Sequence, residues 1–163
     1  MSLDVDGPAH PFQDPLLDQL VGDWKINGRV AGQSIKHWGR IDWILNHQFL
    51  RIHFLDTTKR TAREAKNNPP YEAFVFVGYD NMSERYVAHW LDTFGGRYSE
   101  IIGFGEKIGR YSIRFLFEGG TGPLHNTITW NPKRKTWNMR IVQKNEKGKW
   151  ALFGDETFRR VRA

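Results

Sequence analysis

Ten short runs along the chain alternate apolar with polar residues, and one helical stretch precedes them. Alternation of period two puts every second side chain on one face, the mark of strands buried on one side only. The runs cover residues 24–30, 35–44, 49–55, 71–79, 85–92, 98–104, 110–117, 124–130, 136–143 and 150–161, the last interrupted near Gly154. Asp80-Asn81, Gly95-Gly96, Gly119-Gly120, Asn131-Pro132 and Lys147-Gly148 separate several of them, and such pairs suit tight turns. In the stretch 15–21, Asp14 can cap the helix, Pro15 suits its first position and Gly22 can end it. Leu16, Leu17, Leu20 and Val21 share a face, so this helix is expected to dock as a plug on an apolar surface. Strands joined by short hairpins predict an all-β fold: a single antiparallel up-and-down barrel of about ten strands with Trp24 buried near the plugged end. One connection, 56–70, is long, polar and basic. It is expected at the barrel rim, as a lid or a solvated loop, and 61–66 can form a short helix.

Composition narrows the class. With 163 residues, 39% hydrophobic and 26% charged, the chain suits one domain, read as a flexible tail over 1–13 and a barrel over 14–163. No apolar run approaches the roughly 20 residues needed to span a bilayer, and residues 1–10 have neither a basic leader nor an apolar core. A cytoplasmic location with no membrane partner is expected. Absence of cysteine excludes disulfides, thiolate metal sites and cysteine nucleophiles. The net charge of +6 would suit a phosphate backbone, but Lys59-Arg60, Lys133-Arg134-Lys135 and Arg159-Arg160 stand in three separate places. Nucleic acid is therefore not an expected partner. No phosphate loop, nucleophile elbow or His-Glu-x-x-His motif occurs, and Gly103-Phe104-Gly105 ends a strand with no helix following.

A helix leading into Gly22-x-Trp24 at the first strand, followed by meandering hairpins, is similar to lipocalin-like and fatty-acid-binding-protein-like barrels. In those families this tryptophan packs across the closed end. Leu20-Val21-Gly22-Asp23-Trp24, then Val77-Gly78-Tyr79-Asp80 and Arg85-Tyr86-Val87, resembles more closely a bacterial lipocalin-like family of unknown function. That resemblance implies a calycin-type barrel and no assigned reaction. The haem-binding nitrobindins share ten strands and a Gly-x-Trp-x-Gly-x-Gly start. Here Lys25-Ile26 replaces the middle glycine, and 150–163 lacks the histidine that serves as haem ligand in that family. No haem, other cofactor or metal is expected.

Parity proposes which residues face inward. It turns in Trp24 and Ile26; Ile35, His37, Ile41 and Trp43; Val87, His89 and Leu91; Tyr98, Glu100, Ile102 and Phe104; Ile113, Phe115 and Phe117; Ile128 and Trp130; and Trp137, Met139 and Ile141. The polar inward set is His37, His89, Tyr98, Glu100, Tyr111, Asn126 and Gln143. A hairpin near Gly95 would set His89 across from Glu100, and a carboxylate beside an imidazole suits a general base. His37 and Tyr98 complete this candidate catalytic group. Equally, His89 can be a hydrogen-bonded core residue, and Glu100 can pair with Arg140 if a bulge shifts the parity. His53 and His125 are expected to face solvent. Trp43, Tyr111, Asn126, Trp130, Met139 and Gln143 are the candidate ligand-binding residues, since a ten-stranded barrel leaves room for a guest. Three functions stay open. The favoured one is a binder of a small, largely hydrophobic, aromatic molecule. The others are a cofactor-independent lyase or isomerase using the His/Glu group, and a metalloprotein using His37, His89 and Glu100. A homodimer is compatible with any of them.

Overall fold

The computed structural model describes residues 10–95, 101–119 and 123–162. Its elements are α1 (Pro15–Asp18), β1 (Gly22–Val30), β2 (Gln33–Ile44), β3 (Phe49–Asp56), α2 (Ala62–Asn67), β4 (Glu72–Asp80), β5 (Arg85–Asp92), β6 (Ile101–Lys107), β7 (Ser112–Phe117), β8 (Leu124–Asn131), β9 (Thr136–Lys144) and β10 (Trp150–Arg160). Each strand pairs antiparallel with the next, and β1 closes the barrel by pairing with both neighbours, Trp24 opposite Gly39 of β2 and Arg160 of β10. Closure removes the unpaired sheet edges that a ten-stranded open sheet would expose. The architecture is compatible with a calycin-type fold. No helix of the described residues is long and apolar enough to cross a membrane.

The helix is shorter than the pattern predicts. It makes one turn, after which Gln19 and Leu20 continue with bonds to the carbonyls of Leu16 and Leu17. Its continuation is stopped because barrel side chains claim the next carbonyls. The Trp24 indole N–H donates to Leu20 (2.6 Å), the Trp137 indole to Gln19 (3.2 Å) and Arg160 to both Gln19 and Val21. At the start, Asp14 Oδ1 accepts from the Leu16 and Leu17 amides, while Oδ2 accepts the Tyr86 hydroxyl at 2.5 Å. Leu16, Leu17 and Leu20 are buried within the same cluster as Trp24, Leu50 and Ile113. Of the segment expected as a tail, Phe12 packs on Trp43, Tyr79 and Tyr86.

Buried residues alternate as expected on β1, β2, β3, β7, β8 and β9. Two strands correct the expectation. On β5 the inner residues are Tyr86, Ala88 and Trp90, so Val87, His89 and Leu91 lie on the outer wall. On β6 the inner residues are Ile101, Gly103 and Gly105, which puts Ile102 and Phe104 outside. The reason is steric. A Cβ at Gly103 would lie 2.5 Å from the Phe117 ring, and one at Gly105 would lie 2.7 Å from the Phe115 ring. The core aromatics of β7 thus fill the space that side chains of β6 would need.

Candidate functional site

The barrel has two ends of different character. At the helix end stand Trp43, Tyr86, Trp130 and Trp137, each already engaged. The Trp43 indole donates to Asp18 and stacks on His47 with ring centroids 4.0 Å apart, and Trp130 packs on Trp137 at 5.4 Å. Tyr111, at the start of β7, packs on the core with the Arg110 guanidinium near its ring. The opposite end, where β3, β5 and β9 finish, holds a cluster of polar side chains on the inner face.

Glu156 of β10 and His37 of β2 form the centre of that cluster. They are two strands apart, so their backbones are separated by about 10 Å of sheet. Between them on β1 lies Gly28, which pairs with both Glu156 and Ile35. A Cβ there would meet the Asp155 carbonyl at 2.0 Å, so only glycine fits where β1 passes Glu156. The imidazole Nδ1 lies 3.7 Å from Glu156 Oε1, too far for a hydrogen bond, with the side chains 10% and 4% exposed. Burial in this apolar wall, with the Asp155 charge adding to it, pushes the Glu156 carboxyl up to about 7. Burial pulls His37 down, an effect that the nearby Asp56 charge partly offsets. Burial thus favours the uncharged form of both groups.

Tyr71 and Trp90 wall the cluster on the opposite side. The Tyr71 ring stacks on His37 with centroids 5.6 Å apart. Its hydroxyl donates to Asp92 Oδ2 at 3.1 Å and accepts from the Trp90 indole at 3.1 Å, and burial raises its pKa well above the ordinary tyrosine value. Phe54 packs between Trp90 and Phe158, 5.8 and 5.9 Å from them. At the rim, burial pushes the Asp56 carboxyl upward, but hydrogen bonds from Thr58 and Arg60 outweigh it and hold it below its usual range. Arg60 also donates to the Asn68 carbonyl. Two points of the 57–70 connection are thereby fastened to the rim, and its helix α2 is closed by a capping box between Thr61 and Glu64.

Beneath the cluster runs an apolar cavity of about 30 Å³, walled by Phe54, Trp90, Phe117, Met139 and Phe158, with Asn126 as its polar member. Asn126 is 4% exposed, and its Oδ1 has no hydrogen-bond partner. A space of this size takes a water molecule or two.

Of the expected site residues, His37, Asn126 and Met139 stand at the cluster or its cavity. Gln143 is half-buried at the same end of β9. Trp43, Tyr111 and Trp130 belong to the other end. His89 is a correction: it sits on the outer wall opposite Phe76 and Ile102, on the far side of the sheet from His37. Tyr98 and Glu100 lie outside the described residues. His53 faces outward as expected, stacked on Phe74 and bonded to Glu72, as does His125, stacked on Trp150. Glu156, Tyr71, Asp92 and Trp90 were missed. Glu156 is two residues before buried Phe158, so period two along β10 carries its signal. No protein-family model matches the chain, and no curated protein matches it.

Proposed function

We propose that the protein is a lipocalin-like barrel that binds a small, largely hydrophobic molecule, aromatic in part, at the end opposite the helix. The observation that carries this reading is the buried polar set inside an otherwise apolar interior. Among the described residues Asn126 Oδ1 has no partner, and the buried Glu156 carboxylate stands 3.7 Å from His37 Nδ1, beyond bonding distance. A buried polar atom left unsatisfied costs about 1–3 kcal/mol, a cost that a purely structural core has no reason to bear. A guest supplying hydrogen bonds to them removes it. Pockets for small organic molecules span roughly 300–1,000 Å³. The cavity of about 30 Å³ is smaller than that, so a guest must turn Phe54, Trp90 or Phe158 aside to enter.

Trp90 stands at the boundary of cavity and cluster, so its fluorescence reports entry. Titration with flat uncharged molecules such as naphthalene alcohols and indoles is expected to quench it saturably, with Kd below 1 mM, about −4 kcal/mol. Trp90→Phe should remove most of the signal, since Trp90 is the tryptophan among the residues lining the cavity. Absence of any ligand at that strength contradicts the reading.

The His37–Glu156 pair favours a second reading, proton transfer on the bound molecule without a cofactor. A carboxyl near pKa 7 beside a neutral imidazole is matched to general acid–base work. Recovery of every bound ligand chemically unchanged after prolonged incubation leaves binding alone.

A further inference from the structure

The chemical class of the guest can be read from the same end of the barrel, and this step rests on the binding reading above. We infer that the site prefers a hydrophobic amine, its ammonium seated against Glu156 among the rings of Tyr71, Trp90, Phe54 and Phe158.

Three observations lead there. First, the sign of the interior is negative. Among the described residues the buried charged side chains are Asp14, bonded at the helix end, and Glu156. No lysine or arginine is buried to receive a carboxylate or phosphate, and the cation nearest the rim, Arg60, is held by Asp56 and the Asn68 carbonyl. Second, the buried polar atom without a partner among the described residues is an acceptor, Asn126 Oδ1 at the cavity wall, and Glu156 when ionised can only accept. Third, the walls are aromatic. Trp90 donates to Tyr71, which feels the Glu156 charge, and Phe54 packs between Trp90 and Phe158, the latter two residues from Glu156 on the same face of β10. Aromatic faces attract cations by their quadrupole, and rings combined with a carboxylate form the usual cage for ammonium groups.

The groups around Glu156 set the pH behaviour: His37 from β2, Tyr71 just before β4 and Asp155 beside it on β10, with Asp56 of β3 acting on His37 and Asp92 of β5 bonded to Tyr71. Tyr71 stays neutral throughout, and Asp56 is compensated by Arg60. Lowering the pH through neutrality discharges Glu156 and, further down, charges His37. Both changes act against an ammonium guest.

A matched trio tests this: 1-naphthylmethylamine, 1-naphthalenemethanol and 1-naphthoic acid, titrated by calorimetry into the full chain at 0.15 M salt. The amine is expected to bind about tenfold or more tighter than the acid at pH 7.5, although the net charge of +6 would favour the acid at any unspecific surface site. Its affinity should fall about tenfold between pH 7.5 and 5.5, a readout that needs no variant. In Glu156→Gln the amine and the alcohol should bind within about threefold of each other, since the paired charge is gone. Equal binding of all three, tighter binding of the acid, or an amine preference that survives in Glu156→Gln overturns the inference while leaving the barrel a binder. Failure of all three to bind overturns the binding reading itself, and the inference with it.

Discussion

At the scale of single residues, Glu156 is where burial and charge conflict most. Its carboxyl titrates near 7 in the folded chain against about 4.5 unfolded. Between those values the folded state binds more protons than the unfolded one, so stability is present below pH 4.5 and declines as pH rises through 7. The loss amounts to roughly 3 kcal/mol. His37 acts in the opposite sense, because burial favours its neutral form: its contribution is lost as pH falls below 6.5. Glutamine at 156 resembles the protonated acid at every pH. Glu156→Gln should therefore match the wild type in urea unfolding at pH 4 and exceed it at pH 8 by about 3 kcal/mol. An equal difference at both pH values would show that the carboxyl does not titrate in the interior.

At the scale of elements, the one-turn helix shows how a short segment is held by partners distant in sequence. Asp14 satisfies two amides of α1 with one oxygen and the Tyr86 hydroxyl with the other, 72 residues away. Asp14→Ala should cost about 2–4 kcal/mol, a lost cap plus a buried hydroxyl without a partner, measured by urea unfolding. A loss under about 0.5 kcal/mol would mean that these bonds do not seat the turn. The same scale shows what the sequence made legible. Strand number and order follow from period two and turn residues, and the facing of β1, β2, β7, β8 and β9 follows from Trp24, Ile41, Phe115, Asn126 and Trp137. The facing of β5 does not, because Tyr86-Ala88-Trp90 and Val87-His89-Leu91 are equally apolar sets. On β6 two of the three inner residues, Gly103 and Gly105, are glycines, so Ile102 and Phe104 mislead. The site was legible only in one member: the pair expected from the hairpin was His89 with Glu100, but His89 lies on the outer wall and Glu100 lies outside the described residues, while His37 stands in the cluster. Glu156, beside it, comes from the far end of the chain and is brought there by barrel closure, which no local pattern encodes.

At the scale of the whole molecule, the closed barrel separates two surfaces of unlike use. The outer wall over β4 to β6 carries Phe74, Leu91, Ile102 and Phe104 in partial exposure, the last under the Arg85 guanidinium at 3.5 Å. The inner end gathers His37, Glu156 and Tyr71, and the cavity lined by Asn126 is too small for an organic guest unless its aromatic wall moves. Both surfaces could attract a hydrophobic molecule, and only the inner one accounts for the unsatisfied polar atoms. The most direct test is the crystal structure of the protein with a naphthalene-type ligand bound. The account predicts the ligand inside the barrel, a polar atom within hydrogen-bond distance of Glu156 or Asn126, and Phe54, Trp90 or Phe158 turned aside. A ligand seated only on the outer wall beside Phe74, Ile102 and Phe104, with the interior unchanged, would contradict it.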